Sequence, residues 1–367
     1  MIIKNGFVFQ EDGTFEKKDL FIEAGKIVSS SQEVLDKTEL DASGLKVIPG
    51  LIDIHSHGAS GHDFSDGNLE GLKTILKYEK SHGITSYCPT SMTLPMEQLI
   101  QIFSTAKNIC PDPSIAHIAG INMEGPFLNP SKKGAHVEAY IQKPDIDFFR
   151  QCNASSGNLV KLVTLAPEVE GASEFIQELK HDVKISVGHT SASYECAYNA
   201  MKAGANHVTH LFNAMPPFAH RSPGVIGAAS DIPSCMVELI CDGIHIHPSV
   251  VRNVFSMFGS ERVILISDSM MATGMENGTY ELGGQKVTMN NKKATLADGT
   301  IAGSATNLYD CMKKAMEFGI KESDALFAAT RNPAKSIGIY DKTGSLTPGK
   351  NADILLTDEQ YHLIKVI

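Results

Sequence analysis

Eight short apolar runs recur through the middle of the chain, most of them separated by segments with helical spacing of apolar residues. They are 51–57, 84–90, 115–124, 159–166, 184–189, 207–212, 235–242 and 263–268. Alternating strands and helices leave few solutions, because parallel neighbours need a crossover, usually helical and right-handed. Eight such units over roughly 290 residues fit a closed (β/α)8 TIM barrel better than an open doubly wound sheet. Leu69, Leu72, Ile75 and Leu76 make one helical stripe. Met96, Leu99, Ile100 and Phe103 make a second, and Val250, Val251, Val254 and Phe255 a third. Asn68 and Ser191 read as helix N-caps, and Gly83, Gly204 and Gly259 as helix stops.

Both ends of the chain depart from this rhythm. Residues 1–50 hold short β-rich runs split by Gly, Asn and Asp, and 344–367 again read as turn then strand. Neither end has enough strands to be stable alone. A small discontinuous β-sandwich domain from 1–50 and 344–367 is therefore expected, with 51–343 as the barrel. Two connections, 125–158 and 269–300, are rich in Gly, Asn and Pro and follow strand C-termini. That end of a barrel is the active-site face, so both read as substrate-covering loops.

Composition narrows the function. A formal charge of −10 disfavours general affinity for nucleic acid or an anionic membrane surface, since both call for basic surface. No apolar run reaches the roughly 18 residues of a bilayer span. The opening Met1-Ile2-Ile3-Lys4-Asn5-Gly6-Phe7-Val8-Phe9 lacks the zones of a signal peptide and reads as a first strand. Seven scattered Cys without a CxxC pair indicate neither a disulfide framework nor a zinc ribbon. A cytoplasmic enzyme or scaffold is expected.

The chemistry lies where the strands end. His55 and His57 close the first run, Glu124 the third, His189 the fifth, and His210 falls near the end of the sixth; Asp268 closes the eighth. Residues i and i+2 of a strand share a side, so both first-strand imidazoles can face the barrel axis. Six such groups would converge on one small volume, and burying them without a counter-charge is costly. Imidazole and carboxylate suit a divalent cation, and zinc, iron, manganese and cobalt all remain open.

Two flanking motifs then matter. Val47-Ile48-Pro49-Gly50-Leu51-Ile52-Asp53-Ile54-His55-Ser56-His57-Gly58 and Gly344-Ser345-Leu346-Thr347-Pro348-Gly349-Lys350-Asn351-Ala352-Asp353 resemble the opening and closing signatures of the amidohydrolase superfamily. Within it, the chain is similar to the N-acetylglucosamine-6-phosphate deacetylase family. That likeness rests on Met123-Glu124-Gly125-Pro126-Phe127, Lys133-Gly134-Ala135-His136, Gly188-His189-Thr190, Thr209-His210-Leu211-Phe212-Asn213-Ala214-Met215, Cys241-Asp242-Gly243-Ile244-His245, Ser267-Asp268 and Ile301-Ala302-Gly303-Ser304.

The resemblance implies a division of roles. Glu124, His189 and His210 would be the principal metal ligands, and His55 and His57 would complete a second metal position, so one or two ions are expected. Asp268 would be general base and then acid, and His136 would polarise the acetyl carbonyl. Arg221 and His245 would hold the phosphate of a phosphorylated amino sugar. Ala135, Asn213, Ala214, Asp242, Gly243, Ile244, Ile301, Ala302 and Gly303 would complete the substrate pocket. The family shares its phosphate grip across a subunit boundary, which implies a homodimer. Lys161, the lysine of the fourth run, sits too early to be the carboxylated bridging lysine of other superfamily members. A cyclic amidase or aminohydrolase on the same barrel, or an inactive barrel kept as a scaffold, are the competing readings. His247 reads as a helix-start residue before Pro248, and the contacts of the Met-rich stretch 270–275 are unassigned.

Overall fold

The computed structural model describes residues 1–367. Eight parallel barrel strands follow one another in space in chain order: Leu51–Ser56, Ile84–Ser91, Ile121–Phe127, Val160–Leu165, Lys184–Val187, His207–Val208, Met236–Ile240 and Val263–Ile266. The first and last strands share no ladder. They meet where the Asp268 amide donates to the His55 carbonyl at 2.9 Å.

Alternation sorts the barrel side chains into layers. Val163, Leu165, Val237, Leu239, Val263 and Leu265 join the large core shared with the outer helices. Their neighbours Leu162, Ile240, Ile264 and Ile266 pack instead with Ile52, Ile54 and Cys88, as the filling of a barrel requires. The outer helices present the expected stripes with small rotations. Leu69–Ser81 buries Leu72, Ile75, Leu76 and Glu79, capped by Asn68, whose Oδ1 accepts the Gly71 N–H at 3.0 Å. Met96–Lys107 buries Leu99, Ile102, Phe103 and Ala106, so Ile102 replaces Ile100 at the centre of that face. Pro248–Phe258 starts at His247, whose Nδ1 accepts the Ser249 N–H at 3.2 Å. Tyr194–Ala203 is capped by Ser193, whose Oγ accepts the Cys196 N–H, and not by Ser191.

Three strands stop short of their apolar runs for one reason. His189, His210 and Asp268 have φ of 47°, 27° and 49°, and Phe212 and Ala214 are left-handed as well. Such residues cannot continue a ladder. The third run, 115–124, is split into His117–Ile118 and Ile121–Phe127. Between them a Cβ on Gly120 would stand 2.2 Å from Lys161 Cγ, which also places Lys161 at the start of its strand, away from the site end.

Strands from both chain ends share one branched seven-stranded sheet. Ile354–Thr357 pairs antiparallel with Lys46–Pro49, and Ile2–Phe9 carries further strands on either side. The segment 269–300, expected as a loop, instead contains a three-stranded antiparallel sheet, Gly278–Leu282, Gln285–Asn290 and Lys293–Thr295. Its two-residue turns, Gly283-Gly284 and Asn291-Lys292, all have positive φ, the requirement of a tight hairpin. Leu282, Val287, Met289 and Ala294 pack beneath it against Met92, Ala135, Met270, Ala272 and Ala302. Met270 is thus a core residue of this insert, while Met275 is exposed. No helix is long and apolar enough to cross a membrane.

Candidate active site

The six residues picked out at strand ends do meet. Glu124 stands at the centre. Its Oε1 lies 3.1 Å from His189 Nε2, 3.0 Å from His210 Nε2 and 3.5 Å from His55 Nε2. Its Oε2 lies 3.2 Å from His57 Nε2 and 3.3 Å from His136 Nε2. Asp268 Oδ1 completes the group at 3.3 Å from His57 Nε2 and 3.6 Å from His55 Nε2. All seven residues are buried. The left-handed backbone at His189, His210 and Asp268 is uncommon for such residues and is concentrated here, as strained conformations at functional sites often are.

The partner of each remaining ring nitrogen decides what the imidazole can do. Nδ1–H of His57 donates to the Thr90 carbonyl (3.1 Å), that of His189 to the Lys132 carbonyl (2.8 Å) and that of His55 to the Glu238 carboxylate (2.9 Å). Each therefore presents a lone pair at Nε2. His136 is the reverse: its Nδ1 accepts the Thr93 N–H at 3.1 Å, so its Nε2 carries a proton into the site. Burial keeps that ring neutral, with its pKa pushed down to about 4.

Lone pairs facing carboxylate oxygens need a cation between them. Burial alone would raise the Glu124 carboxyl, yet His55 and the other surrounding imidazoles outweigh it and hold it well below the usual range. Burial likewise works against a charged His57, but the Asp268 and Glu124 carboxylates lift it to about 10. Asp268 stays below its ordinary value because His57, His55 and His210 overcome its burial. A divalent ion can take the place of these protons. Nε2 of His55 is buried with no hydrogen-bond partner and aims into the cluster. Ligand atoms 3.0–3.6 Å apart match the roughly 3.3 Å spacing around a tetrahedral ion with bonds of about 2.0–2.1 Å. His55, His57 and Glu124 form one group that could hold a metal ion, and Glu124 with His189 belongs to a second. His136 lies within reach of the second, but its Nε2–H makes it a donor and not a ligand.

The cluster forms the floor of a cavity of about 510 Å³. Of the residues expected to bind substrate, Ala135, His136, Asn213, Ala214, His245, Ile301 and Gly303 line it. Ala302 does not; it is buried behind them in the core of the insert. Asp242, Gly243 and Ile244 form the turn that carries His245. Asp242 accepts the Ile244 and His245 N–H groups at 2.8 and 2.9 Å, and Nδ1 of His245 at 2.7 Å. Arg221 departs most from expectation. It is exposed on a hairpin outside the cavity, and its guanidinium meets only His220. Several lining residues escaped the sequence reading: Met92, Leu282, Asp298 and Thr300. Leu282 was legible in principle, because the alternation of 278–290 marks strands. Glu238 escaped as well, although a carboxylate amid the apolar run Met236-Val237-Glu238-Leu239-Ile240 was a signal.

Known proteins resemble this arrangement over its whole length. A family model described as the amidohydrolase family matches residues 46–366. The N-acetylglucosamine-6-phosphate deacetylase of Bacillus subtilis (strain 168) is 37% identical over 372 residues, covering 100% of this chain and 92% of its own. The N-acetylgalactosamine-6-phosphate deacetylase of Escherichia coli O157:H7 is 32% identical, covering 97% and 94%. Among solved structures, an Asp-to-Ala mutant of the Mycobacterium smegmatis N-acetyl-D-glucosamine-6-phosphate deacetylase, in complex with N-acetyl-D-glucosamine-6-phosphate, superposes with a TM-score of 0.90. It is 30% identical and is covered over 97% of its length by all of this chain.

Proposed function

The chain belongs to the amidohydrolase family, and on that premise we propose that it removes the acetyl group of N-acetyl-D-glucosamine 6-phosphate, giving D-glucosamine 6-phosphate and acetate. One observation carries the reading. A single cavity joins the imidazole–carboxylate cluster, with its inward-pointing His136 donor, to a polar wall holding Asn213 and His245.

Glu124, His189 and His210 would hold a divalent ion, and His55 and His57 would complete a second position. Zinc, iron, manganese and cobalt all suit these donors. Such an ion, when bound, lowers the pKa of water from 15.7 to about 7 and polarises a carbonyl. Asp268, kept ionised by its imidazole neighbours, takes a proton from the attacking water. The same carboxyl then gives that proton to the departing amine as the C–N bond breaks. His136 donates its Nε2–H to the acetyl oxygen, where negative charge develops.

Asn213 and Ala214 contact the phosphosugar. His245, oriented by Asp242, faces the phosphate with its free Nε2. The exposure of Arg221 supports a homodimer in which Arg221 of the partner subunit supplies the second phosphate contact, since a guanidinium grips phosphate bidentately. The same reading treats 1–50 with 344–367 as a small β domain beside the barrel of 51–343. Seven free thiols fit a cytoplasmic setting.

The test is acetate release from the phosphorylated sugar with and without chelator. Rapid, chelator-sensitive release is expected; equal rates on the unphosphorylated sugar would remove the phosphate role. The galactosamine name of one relative supports a second reading, the C4 epimer, and its kcat/KM measured alongside decides between them.

A further inference from the structure

Glu238 is the only ionisable residue of the seventh barrel strand and is completely buried. Oε2 accepts two hydrogen bonds, from Nδ1–H of His55 at 2.9 Å and from the backbone N–H of His210 at 3.1 Å. Oε1 has no partner. His207 Nδ1 is 3.9 Å away and already bonded to Ser186 Oγ at 2.9 Å. A carboxylate left half-satisfied in a barrel interior is costly, and an apolar residue of similar volume would be cheaper there. What Glu238 achieves is seen at the site. One oxygen fixes the ring of His55 and the strained backbone of His210 together.

We infer that Glu238 is a positioning residue that makes His55 a ligand and so creates the second cation position, between His55, His57 and the Glu124 and Asp268 carboxylates. The inference rests on the metal-centre reading above. With its Nδ1 proton held by Glu238, His55 directs the Nε2 lone pair at Glu124 and Asp268, 3.5 and 3.6 Å away. Were the proton on Nε2 instead, that direction would be closed to an ion. The charge of Glu238 also makes the ring a stronger donor than a neutral acceptor would. His57, His189 and His136 take their orientation from main-chain atoms of Thr90, Lys132 and Thr93. Only His55 has a side chain in that role, so here alone a substitution can change it.

Glu238→Gln is the variant of choice, because its amide oxygen can accept both existing hydrogen bonds while the charge is lost. Wild-type protein equilibrated in metal-buffered solution and assayed by elemental analysis is expected to hold two ions per chain. E238Q is expected to keep one tightly and to bind the other about 10- to 100-fold more weakly by competitive chelator titration. Glu238→Asp, which keeps the charge but withdraws it, should fall between the two and serves if E238Q does not fold. His55→Ala should lose the same ion, and adding E238Q to it should change metal affinity no further. Equal stoichiometry and affinity in wild type and E238Q, or only one ion in saturated wild type, would overturn the inference. No ion in the wild type would instead overturn the metal-centre reading itself.

Discussion

Five imidazoles crowd one carboxylate here, and for four of them the group behind the ring sets the job, while Nδ1 of His210 has no partner. His136 has an amide N–H behind it and so donates; His57 and His189 have carbonyls behind them and so accept. Replacing His136 with Ala should lower kcat about 10²- to 10³-fold with metal content unchanged, as removal of one oxyanion donor does; steady-state kinetics beside elemental analysis would check this. Asp268→Asn should cost about 10²- to 10⁴-fold in acetate release by removing the proton carrier. Unchanged turnover would exclude Asp268 from that role. The residues themselves were legible, because His55, His57, Glu124, His189, His210 and Asp268 fall at strand ends. Their protonation was not. For His57 and His189 it is set by the main-chain carbonyls of Thr90 and Lys132, where the identity of the side chain carries no information, and for His55 by Glu238, which is distant in sequence.

At the scale of elements, the barrel face is held by aromatic packing between strand and helix. Phe175, on Ala172–Leu179, is fully buried with ring centroids 5.1 Å from Phe127 and 5.7 Å from Phe149. Phe175→Ala should destabilise the fold by about 3–5 kcal/mol, read as a lower urea midpoint, while the folded fraction keeps its kcat. Phe127 ends the strand that carries Glu124, so a larger fall in kcat would mean that the cavity displaces that strand. Amphipathic stripes gave three outer helices away, with Asn68 and His247 marking two of their starts, whereas the cap of Tyr194–Ala203 is Ser193 and not Ser191. Strand ends were harder to read, because left-handed φ at His189, His210 and Asp268 stops each ladder inside a run that still looks apolar. The insert 278–295 was hidden by its turn residues. Gly283-Gly284 and Asn291-Lys292 suggest a loop when counted, and a hairpin only when placed between alternating segments.

For the molecule as a whole, contacts between distant parts of the chain matter most. Glu11 accepts hydrogen bonds from Tyr340 at 2.6 Å and Ser345 at 3.2 Å, linking the first sheet to the segment after the last helix. The Tyr340 hydrogen bond outweighs partial burial and lowers the Glu11 pKa. Its stabilisation is therefore complete above the ordinary carboxyl value of 4.5 and is lost as pH falls through the lower folded value. Wild type should melt above Glu11→Gln at pH 7, by under about 1 kcal/mol for so exposed a group, and the difference should shrink below pH 4.5. Melting curves across that range would check it. That both chain ends share a sheet was foreseeable from their strand counts. The exposure of Arg221 was not, because no local pattern says which side of a hairpin faces the cavity and which faces solvent.

The ring of strands has one join without a ladder, where the Asp268 amide reaches the His55 carbonyl. The two residues at that join also bear two of the groups that gather round the ion. The hoop is thus buckled at its reaction centre: a cation gripped from both rims would clasp the first staves to the last, beside the hydrogen bonds that the Ser269 carbonyl accepts from the His57 and Gly58 amides at 2.8 and 3.1 Å. An ion held there would bear on the fold as well as on the chemistry, because ligands drawn together are also strands drawn together.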